Sequence, residues 1–159
     1  MFSQTSQSLP DTLLSFPVCP TNIAAKSMHL NYPWLDEKFL LSAGVLYLVD
    51  KARAFWLVDA IAAQQKDAQV AATSLQVWEL ILDAGHKVTL IGADDRNHIR
   101  AFQEIPQTDF PVEHLCLIAV QDAFLGGRML MLACEYHAYQ SSLRVDNLFQ
   151  QSAQPAWAI

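Results

Sequence analysis

Trp56 and Asp59 stand three residues apart, which on a helix puts them nearly on one side, where they could offer a ligand an aromatic platform beside a carboxylate. Further along, Thr108 and Asp109 lie between Pro106 and Pro111, whose fixed φ angles hold the polar pair in one conformation suited to binding a ligand or activating a water. Glu135 and Tyr136 follow the last apolar run, and Glu135 paired with Asp59 or Asp109 would make an acid and a base at the rim of a cleft. Each group also has a plainer use. Trp56 can fill a core, Asp59 can bond a backbone amide, Thr108 or Asp109 can cap a turn, and Glu135 can be a structural acid. The plainer uses are favoured, so no residue is assigned a catalytic role and no cofactor is expected.

His114 and Cys116 fall on one face of a strand, with Cys134 and His137 near the end of its neighbour, and two His with two Cys suit a tetrahedral zinc ion. The spacing lacks the paired-cysteine knuckle, and the deaminase pattern of His-x-Glu with Cys-x-x-Cys is missing. Buried thiols without metal are the expectation. The three cysteines, Cys19, Cys116 and Cys134, are an odd number at unrelated spacings, which suits reduced thiols in a cytosol. Phosphate loops, dinucleotide fingerprints, nucleophile elbows and His-Glu-x-x-His helices are all missing.

Composition narrows the partners. The 159 residues include 16 acidic and 10 basic side chains, a net charge of −6, and the basic ones are scattered, so direct nucleic-acid binding is not expected. Apolar residues make up 52% and charged ones 16%, enough for one core and a surplus for a protein partner or a homodimer. The first basic residue is Lys26, and no apolar run reaches the ~18 residues needed to cross a bilayer. A cytoplasmic protein that neither spans nor enters a membrane is expected.

The elements that must position these residues follow from period and punctuation. Residues 1–27, rich in Ser, Gln, Thr and Pro, read as a flexible arm, 28–139 as one α+β domain, and 140–159 as a polar tail. From residue 42 to 65, Val45, Leu48, Val49, Ala52, Trp56, Ala60 and Ala63 recur at helical spacing behind Ser42 as N-cap. This is one bent helix or two. A polar linker over 66–74 leads to strands at 76–82, 87–91, 98–103, 115–120 and 128–134, with turns at 83–86 and 94–97 and a connection across Gly126 and Gly127. The expectation is a helical segment on one face of a mainly antiparallel meander of about five strands, with Gly85 and the aspartates supplying the turn freedom.

Three stretches carry a resemblance: AFWLVDAIA at 54–62, QEIPQTDFP at 103–111, and CEY at 134–136. In their order and spacing the chain resembles an uncharacterised family of small proteins met mainly in bacteria, their plasmids and phages, over roughly residues 40–136. Related sequences would place a glycine near Arg53 and a small polar residue at Cys134. The resemblance implies no activity. The candidate ligand-binding or interaction residues are therefore Trp56, Asp59, Gln103, Thr108, Asp109, Glu135 and Tyr136.

Two functions compete. The first is a non-enzymatic protein-binding module, an accessory of a mobile element or an inhibitor of a host or nucleic-acid-binding protein that presents carboxylates in place of phosphates. The second is a small-molecule or nucleotide site, with hydrolysis as its chemistry, built from Trp56, Asp59, Thr108, Asp109 and Glu135. Convergence of those five on one concave pocket favours the second, and dispersal favours the first.

Overall fold

Ser42 starts the helical part of the chain because its hydroxyl accepts a hydrogen bond from the Val45 amide at 3.2 Å, satisfying a donor that a helix leaves open at its start. The computed structural model describes residues 28–106, 108–122 and 126–141, and the arm expected for 1–27 and the tail beyond 141 lie outside them. Helix α1 (Ala43–Ala52) ends at Arg53, whose φ of 50° and ψ of 45° are left-handed, and α2 (Phe55–Gln64) follows. The bend is present, and the segment is two helices. A Schellman closure makes it: the Ala54 amide donates to the Val49 carbonyl at 2.8 Å and the Arg53 amide to Asp50 at 3.4 Å, while Val49 and Ala54 are buried in one core. A side chain at a left-handed residue costs about 1 kcal/mol that glycine avoids. Arg53→Gly is therefore expected to be neutral or slightly stabilising in chemical denaturation, whereas a loss of about 1 kcal/mol would mean a continuous helix.

Among the described residues seven strands form one sheet: β1 (Met28–Leu30), β2 (Lys38–Leu41), β3 (Leu75–Leu82), β4 (Val88–Ala93), β5 (Ile99–Ile105), β6 (His114–Asp122) and β7 (Gly127–Leu132). Their order is β1-β2-β7-β6-β3-β4-β5, antiparallel except where β2 meets β7. The expected five strands are thus too few. The two missed ones precede the helices: β1 has three residues, too few to show a period, and β2 shows no alternation because Phe39 and Leu41 are buried on one side of the sheet and Leu40 on the other. A strand covered on both faces reads as an unbroken apolar run. The expected meander is also interrupted, since β6 returns to the far side of β3.

Both predicted turns are built on an aspartate. Asp83 Oδ1 accepts from the Gly85 and Lys87 amides, and Asp94 Oδ1 from those of Arg96 and His98. The left-handed residues are His86 and Asn97, so the freedom expected of Gly85 is exercised by His86 instead.

One face of the sheet is covered by α1, α2 and α3 (Ala68–Ala71), a helical turn inside the segment expected to be linker. Leu48, Leu57 and Ile61 meet Trp78, Leu80, Leu90 and Leu117 there, each buried side chain of this kind being worth roughly 1.5–3 kcal/mol over exposure. Trp78 lies against its cross-strand partner Gly92, where a Cβ would come within 2.7 Å of the indole. Its N–H donates to Gln76 at 3.0 Å, and Gln76 exchanges two 2.9 Å amide bonds with Gln65, tying α2 to β3. The second face is covered in part as well, which corrects the expectation of a single helical layer. Residues 133–141 form α4, whose Tyr136 and Tyr139 pack on Leu40, Ile118, Met129 and Met131. Strand β7 stops at Leu132, so Cys134 belongs to α4 and not to the last strand.

Candidate functional site

Apart from Asp109, the candidate residues fall into separate groups, each engaged with neighbours in the fold. Trp56, half-buried on α2, meets Phe110 edge to face at 6.0 Å between ring centroids. Thr108 stands beside it: its hydroxyl accepts from the Phe110 amide at 3.1 Å, and its own amide donates to the His86 carbonyl at 3.0 Å. Asp109 is exposed. Asp59 accepts a 2.6 Å hydrogen bond from the Tyr32 hydroxyl, and burial, reinforced by that bond and the carboxylate's charge, raises the Tyr32 pKa. Gln103 accepts from Gln64 at 3.1 Å, and Tyr136 stacks with Tyr139 at 6.3 Å. Trp56 and Thr108 are thus brought together through Phe110, whereas Asp59, Gln103, Tyr136 and Glu135 each have different neighbours.

Glu135 sits farthest from any rim, because it is fully buried. Its Oε1 accepts from the Ser42 hydroxyl at 2.6 Å and the Leu132 amide at 2.9 Å, and its Oε2 from the Gly44 amide at 3.1 Å. One carboxylate therefore closes the first turns of α1 and α4 together, where both helix dipoles favour negative charge. Gly44 is required by this approach: a Cβ there would come within 2.4 Å of Oε1. The acid is placed to hold two helices, not to exchange a proton with Asp59 or Asp109.

Sequence reasoning passed over two further polar centres. Arg128 is fully buried on β7, with Nε 3.2 Å from Glu37 and Nη1 and Nη2 each donating at 2.9 Å to the carbonyls of Thr73 and Ala71. Asp94, besides holding its turn, accepts from Arg100 at 3.0 Å and lies 3.3 Å from His98 Nδ1. It borders an open polar groove of about 400 Å³ shared with Thr73, Ser74 and Arg96. The hydrogen bond from the His98 amide, with those from Arg96 and Arg100, outweighs burial and holds the Asp94 carboxyl at about 2. A depressed carboxyl contributes stability above its unfolded pKa near 4 and loses it as pH falls through the folded one. The gap in urea midpoint between wild type and Asp94→Asn should therefore close between about pH 4 and about pH 2; a gap that stays constant would mean the aspartate's charge is not used.

An apolar groove of about 310 Å³ runs between β6 and the start of α4, lined by Leu48, Val112, His114, Cys116, Leu132 and Cys134. Cys116 and Cys134 are free thiols, and burial, aided by the charge of Glu79, raises the Cys116 pKa. Among the described residues no three His, Cys, Asp or Glu side chains are grouped to hold a metal ion.

A different surface is open. On the second face α4 covers the β2, β7 and β6 half, while on the β3, β4 and β5 half Ile81 is 41% exposed and Phe102 59% exposed. Ile99, at the start of β5, is 64% exposed, so the two most exposed large apolar side chains among the described residues share one strand. Alternation places Val77, Ile81, Ile91 and Phe102 on this side, opposite Trp78, Leu80, Leu90 and Ala101. No helix of the described residues is long and apolar enough to cross a membrane.

Comparison with known proteins matches residues 24–136 to a family model described as "Family of unknown function (DUF6876)". No curated protein and no solved structure matches the chain.

Proposed function

The chain belongs to this family of unknown function, DUF6876, and on that footing we propose that it is a non-enzymatic protein-binding module whose contact surface is the open β3, β4 and β5 half of the second sheet face. The observation that carries the reading is the exposure of Ile81 on β3 and of Ile99 and Phe102 on β5, the strands that flank β4 and its Ile91. An apolar group so arranged is what a protein interface needs, and a sheet half left uncovered while the other half receives a helix is a place for one. The dispersal of Trp56, Asp59, Thr108 and Glu135 among internal contacts supports the same reading. With 16 acidic residues against 10 basic ones, protein is favoured over nucleic acid as the partner. The module acts by contact rather than turnover, as an accessory or inhibitor would.

The test is capture from the native host with the tagged full chain, comparing wild type with Ile81→Thr/Phe102→Thr and probing for an untagged copy of the chain as well as for other proteins. The reading predicts a partner held by wild type and released by the variant at unchanged unfolding midpoint. A partner set that the variant leaves intact would refute it.

A further inference from the structure

We infer that the partner of this surface is a basic protein segment, one that sets an arginine or lysine against Glu79 while its apolar side chains cover Ile81, Ile91 and Phe102. The inference deepens the binding-module reading and rests on it. Glu79 belongs to the patch. Along β3 it shares the open face with Val77 and Ile81, and straight across the sheet it stands between Cys116 on β6 and Ile91 on β4, with Phe102 next beyond Ile91. Residues opposed in this way are about 5 Å apart, and Ile81 follows about 7 Å along the strand. A partner that covers Ile81 and Ile91 therefore covers Glu79 with them.

The carboxylate sets the terms of that contact. In the free chain its side chain is 47% exposed, and its one ion pair among the described residues is with His114 Nε2 at 3.8 Å, too long for a hydrogen bond. Water does most of its solvation. A partner that removes this water leaves a charge that costs several kcal/mol when unpaired, enough to cancel much of what the apolar contacts gain. An arginine or lysine placed opposite offsets the cost with a charge-assisted hydrogen bond. The same residue thus admits basic partners and penalises neutral ones.

The rest of the face points the same way. Glu104 stands on it across Thr89 from Ile81, and Lys87 holds it at 3.0 Å. An acidic partner would meet both carboxylates. A second copy of the chain does no better, because each copy brings Glu79 and Glu104 against Lys87, so apposing two of these faces doubles the excess of negative charge. Phosphates of nucleic acid are repelled for the same reason. The net charge of −6 adds a longer-range attraction for a basic partner.

The experiment is fluorescence anisotropy on the purified full chain at about 0.15 M salt, where attraction between distant charges is screened. The probes are three labelled amphipathic helical peptides of equal length, with leucine on one face and lysine, glutamine or glutamate on the other. Wild type is expected to bind the lysine peptide about tenfold or more tighter than the glutamine peptide, and the glutamate peptide least. Glu79→Gln should lose about tenfold for the lysine peptide and bind the glutamine peptide more tightly than wild type does, a gain that damage to the fold would not produce. Ile81→Thr/Phe102→Thr should weaken the lysine peptide too. Asp50→Asn, which removes the same charge from an exposed position on α1, should change neither affinity. Equal binding of the lysine and glutamate peptides, or an effect of Glu79→Gln no larger than that of Asp50→Asn, would overturn the inference. So would a captured host partner that proves to be an untagged copy of the chain. If Ile81→Thr/Phe102→Thr releases the captured partner while Glu79→Gln holds it and binds the lysine peptide as wild type does, the binding-module reading stands and this inference fails; if neither variant releases it, both fail.

Discussion

Glu135→Ala is expected to lower stability by about 3–5 kcal/mol in urea denaturation, because it strips three buried donors of one acceptor. The Gly44 amide is fixed by α1 and the Leu132 amide by the end of β7, so neither can turn elsewhere, while the Ser42 hydroxyl can rotate and still holds the Val45 amide. Each buried unsatisfied donor costs about 1–3 kcal/mol, and the vacated space adds to the loss. Glu135→Gln keeps one acceptor oxygen but turns an amide N–H₂ toward donors, so it should fall between wild type and Ala. Gly44→Ala drives a methyl into the carboxylate and should cost a comparable amount alone. In Gly44→Ala/Glu135→Ala that clash is gone, so the double variant should be no less stable than Glu135→Ala. Additive losses would show that the two residues do not act on one another.

Arg128→Met should cost about 2–4 kcal/mol, since the buried guanidinium reaches three acceptors in two directions. Two are carbonyls at the end of α3, Ala71 and Thr73, and the third is Glu37 ahead of β2. The side chain thereby holds α3 and the 31–37 segment to β7. Lysine presents one compact ammonium in place of a planar fork, so Arg128→Lys should recover less than half of the loss. Amide exchange would localise the effect: faster exchange in residues 68–74 is expected in both variants. A stability equal to wild type in Arg128→Met would mean the charge is carried at no benefit.

Helices α1 and α2 were legible because their spacing and cap are local: Ser42, Val45, Leu48 and Val49 announce α1, and residues 42–65 read as one bent helix or two. Strand β3 was legible from alternation and β4 to β7 as apolar runs set off by turns, to within about two residues at their ends. Strand β1, at three residues, is too short to show a period, and β2 shows none since Phe39, Leu40 and Leu41 are buried on alternate sides. Helix α4 was hidden by an apolar run that continues from β7 through Cys134 with nothing to mark the change. The role of Glu135 could not be read either. Its partner Ser42 is 93 residues away, and the signal, a glycine in the first turn of a helix, is weak alone. Likewise the pattern of Ala101, Phe102 and Gln103 says that one side of β5 is buried, but which side stays open depends on β6 returning beside β3 and on where α4 ends.

Side-chain labelling by hydroxyl radicals, applied to the free chain and to the assembly recovered in the capture experiment, tests the central claim most directly. Exposed apolar side chains on both sides of the molecule provide the comparison: Ile81, Ile99 and Phe102 on β3 and β5, Trp34 and Phe55 on the helical side. The account predicts that Ile81, Ile99 and Phe102 lose labelling on assembly while Trp34 and Phe55 keep theirs. Protection of Trp34 and Phe55 with Phe102 still labelled would place the contact on the helical side and contradict it.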